Sequence, residues 1–314
     1  MRFLLGTHLE QWLWDEDTGI GAALQEAGVG LFVSHSRLRN RKSRFPAAVV
    51  PWWGLDSMGF SMLRLNGRWT VSPREYARAV LRYDREIGRL EWAAPQDHMC
   101  ERWIIDGGVH DGQAYAGTRQ FVDPAGHMSY EALVTEHQRL SVVNFGELER
   151  VWAEFRRAGE TCRDSPFRPV LQGRPGDPES YLDCAQMYED AGVRLSDYPV
   201  VGVGSVCRIQ ADPVIEHMAR GLDELKLPLH WFGLKLTGIP KVWPNVFSSD
   251  SQSWGTWARR DPRMEGCTHI RVRGKYVGQP STCANCPRYA LRWLGKVVSL
   301  ITSLESRDLE DVSE

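Results

Sequence analysis

The sequence has few features of a membrane-embedded or disulfide-linked chain. No apolar run approaches the roughly 20 residues that span a bilayer, and Met1-Arg2-Phe3-Leu4-Leu5 is too short for a signal peptide. The seven cysteines are odd in number and mostly scattered, which is not the pattern of a disulfide framework. We therefore expect a cytoplasmic protein with reduced thiols and no membrane partner.

Lysine is scarce, with six lysines among 38 lysine and arginine residues, and the formal net charge is −2. A surface that is basic everywhere is excluded, but a local basic stripe suffices to contact phosphates. The densest basic run spans residues 37–44, in which Arg37, Arg39, Arg41 and Lys42 are candidate nucleic-acid contacts. A solvated loop is the alternative interpretation, and the local sequence does not choose between them.

Apolar, strand-like runs recur along the chain, and amphipathic stretches separate several of them. This alternation predicts a parallel sheet, and the number of strands favours a TIM (β/α)8-type barrel in the α/β class. Residues 106–128 lack periodicity and are predicted to form an inserted loop or lid. Strands are predicted at 31–34, 47–53, 90–97, 167–173, 198–206, 227–236 and 246–250. Helices are predicted at 72–88, 129–157 with a break near Asn144, 178–191 and 212–225.

Two carboxylates directly follow predicted strands. Asp250 lies in Phe247-Ser248-Ser249-Asp250-Ser251, and Asp56 lies in Gly54-Leu55-Asp56-Ser57. Catalytic groups of barrel enzymes stand at the carboxyl ends of strands, so this pair could act as nucleophile and proton carrier at a sugar carbon. The alternative is that both are Asx-turn residues that merely end strands.

Four soft or borderline metal ligands lie close together near the C-terminus. They are Cys267 and His269 in Cys267-Thr268-His269, and Cys283 and Cys286 in Cys283-Ala284-Asn285-Cys286. This spacing predicts a closed tetrahedral Zn²⁺ site with a structural role. The alternative is four unrelated buried or redox-active residues. We expect a barrel over 1–264 and a zinc-binding segment with a C-terminal helix, packed on the barrel, over 265–314.

Several motifs, taken in order, resemble the tRNA-guanine transglycosylase superfamily, and most closely its DpdA branch, which inserts 7-deazaguanines into DNA. The resemblance extends from the N-terminus to the Cys/His cluster. The motifs are Leu55-Asp56-Ser57-Met58-Gly59-Phe60, Ala94-Pro95-Gln96-Asp97, Pro169-Val170-Leu171-Gln172-Gly173, Gly202-Val203-Gly204-Ser205-Val206-Cys207, His230-Trp231-Phe232-Gly233-Leu234-Lys235 and Ser249-Asp250-Ser251.

The resemblance implies a TIM barrel and base exchange by double displacement at the sugar C1′. It implies that Asp250 is the nucleophile and Asp56 the general acid/base. It further implies that Asp97 pairs with the N1–H and exocyclic amine of the purine. Purine O6 is expected to bind Gln172 and the backbone N–H of Gly204, with Ser57 against the base.

The expected function is therefore a pentosyltransferase, a DNA-guanine transglycosylase that exchanges guanine for 7-cyano-7-deazaguanine (preQ0) or a related base. Its expected partners are DNA with a flipped-out nucleotide and the 7-deazaguanine base, and the sequence leaves open whether a helper protein opens the DNA. One alternative keeps this chemistry with tRNA or a nucleoside as acceptor. The tRNA enzymes usually carry a Cys-x-Cys-x-x-Cys pattern with a later His, which this chain lacks. The other alternative is a non-catalytic zinc-containing nucleic-acid-binding protein.

Overall fold

A computed structural model describes residues 1–209, 212–243, 245–265, 271–272, 275–276 and 282–311. The strands are β1 Arg2–Thr7, β2 Gly30–Ser34, β3 Trp53–Asp56, β4 Leu90–Ala93, β5 Gly108–His110, β6 Gln113–Tyr115, β7 Val170–Leu171, β8 Val201–Val203, β9 Leu229–Trp231, β10 Ser248–Ser251, β11 Arg271–Val272 and β12 Lys275–Tyr276. The helices are α1 Ile20–Ala27, α2 His35–Leu38, α3 Gly59–Asn66, α4 Pro73–Glu86, α5 Arg102–Asp106, α6 Arg119–Val122, α7 Tyr130–Arg157, α8 Pro178–Asp190, α9 Asp212–Leu222, α10 Ile239–Val242, α11 Ser253–Arg260 and α12 Pro287–Asp311.

Eight strands form one curled parallel sheet in the order β4-β3-β2-β1-β10-β9-β8-β7. A parallel bridge between Ala93 and Phe167 links β4 to the segment that precedes β7. The N–H of Ala93 donates to Pro166 O at 2.8 Å, and that of Arg168 donates to Ala93 O at 3.2 Å. The α/β class is confirmed, and the curled sheet is compatible with a TIM-like barrel.

The alternating direction of side chains along the strands divides the apolar core into two layers. Leu4 and Phe32 pack with Trp92 in the cluster inside the curled sheet, whereas their neighbours Leu5 and Leu31 join the larger cluster between sheet and helices. Successive strand side chains point to opposite faces, which explains this division. Each fully buried Leu or Phe contributes about 1.5–3 kcal/mol relative to an exposed one. Five tryptophans are fully buried: Trp12, Trp53, Trp152, Trp231 and Trp254.

The helix signals in the sequence predicted the start of α4 correctly but not the full length of α7. The helix predicted from residue 72 is confirmed as α4, which begins with a capping box in which Ser72 and Glu75 exchange side-chain and backbone hydrogen bonds. The predicted break of α7 near Asn144 is wrong, because α7 runs without interruption over 28 residues. Asn144 remains helical, and its side-chain amide donates to Gln96 O, outside the helix, at 2.8 Å.

Two predicted segments differ from the structure. The strand expected at 47–53 is irregular up to Trp53, where β3 begins, because its backbone groups bond elsewhere. The N–H of Ala48 donates to Ile87 O, and that of Val49 donates to Leu13 O. The insertion at 106–128 is not a structureless loop, since it contains the antiparallel β5–β6 hairpin and α6.

The C-terminal helix α12 packs against α1 and α11, and its apolar residues belong to the main core. The described part of the chain contains no helix that is long and apolar enough to cross a membrane. Cys267 and His269 lie outside the described residues. Within the described residues, no group of three or more His, Cys, Asp or Glu side chains could hold a metal ion.

Candidate active site

The carboxyl ends of the eight parallel strands surround a cavity of about 220 Å³. Each strand contributes the residues at its end or directly after it, as is usual for enzymes built on such sheets. All six residues that the sequence marked as catalytic or base-binding line this cavity: Asp56, Ser57, Asp97, Gln172, Gly204 and Asp250. The structure therefore brings the predicted site together, while the individual roles stay predictions.

Asp250 is held from one side by the turn that follows β9. The backbone N–H of Gly233 donates to Asp250 Oδ1 at 2.9 Å. The same oxygen lies 3.4 Å from Nε2 of the fully buried His230, whose Nδ1 lies 2.9 Å from Ser248 Oγ. Among the described residues, none donates a hydrogen bond to Asp250 Oδ2. This oxygen is therefore available for reaction in the cavity.

Asp56 ends β3 directly beside Ser34, its partner in the parallel register with β2. The N–H of Met58 donates to Asp56 Oδ2 at 3.2 Å, and the neighbouring Ser34 side chain also favours the ionised carboxylate. Burial raises the pKa of Asp56 above its ordinary value, and the nearby charge of Asp250 raises it further. These two effects outweigh the hydrogen bonds, so Asp56 is suited to hold and transfer a proton.

Asp97 follows β4 and is 9% exposed. Burial, and next the charge of Asp56, raise the pKa of Asp97 to about 7. The side-chain amide of Gln172 donates to Asp97 Oδ2 and favours the ionised form. Around neutral pH Asp97 is thus poised between a carboxylate that accepts hydrogen bonds and an acid that donates one.

Gln172 and Gly204 lie against each other in the cavity wall. A Cβ added at Gly204 would come within 2.1 Å of Gln172 Nε2, so the missing side chain leaves the room that the amide occupies. The N–H of Gly204, which the resemblance assigns to purine O6, donates to Leu171 O at 2.9 Å. Binding of O6 by this N–H stays a prediction and requires that the bond to Leu171 be shared.

Two bulky residues in the motifs leave the cavity open. Met58 and Trp231 are buried, and neither lines the cavity. Met58 has φ +67°, and its sulfur lies 3.6 Å from a guanidinium nitrogen of Arg39, outside the cavity. A non-glycine residue in this left-handed region costs about 1–2 kcal/mol. Ser57, by contrast, is buried and lines the cavity, and its contact with the base stays a prediction.

The insertion at 106–128 packs against the cavity mouth. The ring of Tyr115 in β6 meets the ring of Phe60 edge to face at 6.2 Å, and Phe60 lines the cavity. The guanidinium of Arg208 lies over the ring of Phe60, 4.6 Å from its centroid. The insertion is therefore a structural support of the site.

The basic run lies at the same end of the sheet, because it follows the carboxyl end of β2. Arg37, Arg39 and Lys42 are exposed, and no ion pair joins them to a carboxylate within the described residues. Arg41 is half-buried, with its guanidinium 5.4 Å over both Trp14 and Phe45. Three of the four predicted contacts are thus exposed and, in that part of the chain, unpaired with carboxylates, whereas Arg41 packs against the rings of Trp14 and Phe45.

Cys283 and Cys286 are both buried and lie in the turn directly before α12. The N–H of Met264 donates to Cys283 Sγ at 3.2 Å, and that of Tyr289 donates to Cys286 Sγ at 3.3 Å. Backbone donors aimed at sulfur fit thiolate ligands of a metal. Asn285, between the two cysteines, lies 2.7 Å from His8 Nε2 at the end of β1.

Sequence reasoning missed some residues of the site. Ser34 received no role, because its contact with Asp56 depends on the register of two strands. His230 and Gly233 belonged to a motif that the resemblance used, but neither was assigned to Asp250. Glu101, buried behind Asp97, was not singled out. Its only signal was a carboxylate four residues after Asp97 in a segment without periodicity.

A curled parallel α/β sheet with carboxylates and an amide around one cavity defines a class of enzyme that combines nucleophilic displacement with proton transfer. The family model "DpdA: DeoxyPurine in DNA protein A" matches residues 2–310, so the chain belongs to the DpdA family. This family is the DNA-guanine transglycosylase branch of the tRNA-guanine transglycosylase superfamily, which confirms the resemblance. No curated protein matches the chain.

Proposed function

We propose that this protein exchanges guanine in DNA for 7-cyano-7-deazaguanine or a related 7-deazaguanine through a covalent glycosyl ester on Asp250. Family membership implies DNA-guanine exchange for 7-deazaguanine modification. The observation that most supports the covalent route is the presence of two carboxylates in one cavity, where burial, and in addition the charge of Asp250, raises the pKa of Asp56. One group is then suited to attack and the other to hold a proton.

In the first displacement, Oδ2 of Asp250 attacks C1′ of the nucleotide. The electron pair of the C1′–N9 bond passes to the guanine, which takes the proton of Asp56 and leaves as a neutral base. The product is an ester between Asp250 and the sugar. The Gly233 N–H bonds the other oxygen, Oδ1, and orients the carboxylate for this attack.

In the second displacement, the incoming 7-deazaguanine gives its N9 proton to the Asp56 carboxylate. Its N9 then attacks C1′, and the ester C–O bond breaks with its electron pair returning to Asp250. Both aspartates regain their starting states. Two inversions at C1′ retain the original configuration, so the new base stands where the guanine stood.

Base recognition is assigned to the wall formed by Asp97, Gln172 and Gly204. An ionised Asp97 accepts the N1–H and the exocyclic amine of a guanine-type base, and Gln172 donates to O6. The hydroxyl of Ser57 lies against the ring. This assignment is supported by the presence of all four residues in the lining of the cavity.

DNA reaches the cavity as a flipped-out nucleotide, at an unstacking cost of a few kcal/mol. The exposed cations Arg37, Arg39 and Lys42 at the carboxyl end of the sheet are assigned to the flanking phosphates. A helper protein that opens the duplex would lower the flipping cost.

A structural Zn²⁺ is proposed for the C-terminal segment, held by Cys267, His269, Cys283 and Cys286. The proposal is supported by the burial of Cys283 and Cys286 and by the N–H donors at both sulfurs. When bound by four protein ligands, zinc stabilises the fold and leaves no position for a reacting water. The reaction steps above therefore involve only the chain's own residues.

The covalent route is tested by trapping the ester. The protein is mixed with a guanine-containing DNA oligonucleotide without an incoming base, denatured in acid, digested and mapped by mass. A sugar-linked peptide that contains Asp250 is expected from the wild type and from Asp190→Asn, an exposed carboxylate on α8 that serves as control. Asp250→Asn should give none. An adduct that persists in Asp250→Asn refutes the proposed nucleophile.

A further inference from the structure

Behind the base-binding wall lies a buried carboxyl group that no step above uses. Glu101, at the start of α5, is 1% exposed. Its Oε2 lies 3.0 Å from the hydroxyl of Ser205. Its Oε1 is buried and has no hydrogen-bond partner among the described residues. A buried carboxylate in this state would lack most of the donors that a charge requires.

Ser205 connects Glu101 to the recognition residues. Its hydroxyl oxygen accepts the N–H of Cys100 at 2.8 Å and lies 2.7 Å from Gln172 Oε1. Ser205 adopts φ +53°, a conformation that non-glycine residues rarely take, and this places the hydroxyl between the two side chains. The backbone thus sustains a strained position to make both contacts.

Counting hydrogens determines the direction of these bonds. The Ser205 hydroxyl has one hydrogen, and both Gln172 Oε1 and an ionised Glu101 would need it. If Glu101 is protonated, it donates to Ser205, and Ser205 donates to Gln172 Oε1. The amide NH₂ of Gln172 then faces Asp97, as observed. The opposite amide orientation turns Oε1 to Asp97 and is satisfied only when Asp97 carries the proton.

We propose, on the basis of the proposed function, that Glu101 is a positioning residue which, as a neutral acid, orients Gln172 through Ser205 and so keeps Asp97 an ionised acceptor. The chain Glu101–Ser205–Gln172–Asp97 holds one proton for its two carboxyl groups. With the proton on Glu101, the wall accepts the N1–H and amine of guanine. With the proton on Asp97, the wall instead presents a donor.

The burial of Glu101 favours the neutral form that this distribution requires. Burial raises the pKa of Glu101 above its ordinary value, which favours its neutral form. The titratable or charged groups that face Glu101 are Asp97, Cys100, Tyr130, Tyr181, Cys207 and Arg208. Burial raises the pKa of each of these thiols and phenols, so they stay protonated at neutral pH. Hydrogen bonds to its carboxylate favour an ionised Glu101, and so does the charge of Arg208.

The state of the Glu101–Asp97 pair sets base specificity. Guanine and 7-deazaguanines present N1–H as a donor, whereas adenine presents N1 as an acceptor. An ionised Asp97 pairs with the former and repels the latter. Glu101 thus contributes to the choice of a guanine-type base without touching it.

The test measures base binding by calorimetry on the intact protein, using guanine, 7-cyano-7-deazaguanine and adenine. Glu101→Leu removes the donor to Ser205 and should weaken guanine binding about tenfold, the effect of one lost neutral hydrogen bond. The affinity of Glu101→Leu for adenine should not fall together with its affinity for guanine. Glu101→Gln keeps a donor of the same length and should bind guanine within about threefold of the wild type. Glu149→Leu, which removes a carboxyl that pairs with Ser165 away from the cavity, is the matched control.

Two further readouts separate positioning from a general structural effect. Ser205→Ala should weaken guanine binding. The double variant Glu101→Leu/Ser205→Ala should bind guanine no more weakly than the single variant with the lower affinity. Additive losses would show that the two residues act separately and would overturn the relay. The pH profile of guanine binding should be unchanged in Glu101→Gln. A shift of this profile to lower pH would show that Glu101 was ionised, which contradicts the proposal.

The outcomes also separate this proposal from the proposed function. Wild-type protein that binds guanine but exchanges no base in DNA refutes the function and leaves the role of Glu101 to be judged by the variants. Equal guanine binding by wild type and folded Glu101→Leu refutes the role of Glu101 alone. Absence of base binding by the wild type overturns both.

Discussion

The backbone N–H of Gly233 bonds Oδ1 of Asp250 at 2.9 Å and holds the carboxylate with its second oxygen available. Gly233 has φ +64°, and a Cβ there would lie 2.7 Å from Cys207 Cβ. Both the conformation and the close contact require glycine. The turn after β9 is therefore shaped around the proposed nucleophile.

Gly233→Ala should displace this N–H and lower kcat about tenfold, with less effect on the KM for the base, because one charge-assisted hydrogen bond is lost. Steady-state base exchange measures this. Gly192→Ala is the control, since Gly192 also has a positive φ, of +78°, but open space around its Cβ position. Equal kcat losses in the two variants would show that backbone strain alone is responsible.

Asp97 should make base use depend on pH. Its raised pKa, about 7, means that kcat/KM for the incoming base rises toward pH 7 and levels off above it. Asp97→Asn should lower kcat/KM at every pH and remove this dependence. A wild-type kcat/KM that stays constant from about pH 5.5 to about pH 8.5 would contradict the assignment of an ionised Asp97.

Asp97 should also make the stability of the protein depend on pH, but stability should fall with rising pH where base use rises. Because the pKa of Asp97 in the folded state lies above that of a free aspartate, about 3.9, its contribution to stability is complete at low pH. This contribution is lost as the pH rises through about 7. Asp97→Asn should therefore be more stable relative to the wild type at pH 8 than at pH 5, as measured by urea unfolding. Identical pH dependence in both proteins would refute the linkage.

Removal of a zinc ligand should affect the fold of the C-terminal segment. Cys283→Ser is expected to reduce bound zinc well below one per chain and to lower Tm by several degrees, since structural metal binding contributes to folding. Metal analysis and thermal unfolding measure these effects. Cys162→Ser, at an exposed cysteine, is the control. Zinc near one per chain in Cys283→Ser would refute the ligand set.

The exposed cations of the basic run should account for part of DNA affinity. Reversal of charge at Arg37, Arg39 and Lys42 is expected to weaken DNA binding and to reduce the slope of log K against log salt by about three, near one per phosphate contact. The control reverses Arg157, Arg194 and Arg220, exposed residues near the carboxyl ends of α7, α8 and α9. Equal losses of DNA affinity in the two triple variants would show that the effect comes from net charge.

The sequence predicted the alternating architecture and the residues of the cavity because strand ends and motifs are local signals. The capping box of α4 is local in the same way. The contacts that tune the site are not local. Ser34 meets Asp56 only through the β2–β3 register, and Ser205 meets Glu101 across a separation of 104 residues. Asn144 has a weak helix propensity, but its tertiary hydrogen bond to Gln96 keeps α7 continuous.

Base exchange on two acceptors tests the central claim most directly. Duplex DNA and bulk tRNA are each incubated with 7-cyano-7-deazaguanine and the protein, digested to nucleosides and analysed by mass, with Asp250→Ala as control. A 7-deazaguanine deoxynucleoside that appears with the wild type and is absent with Asp250→Ala is the predicted result. Product from tRNA alone, or product from DNA that persists in Asp250→Ala, would contradict it.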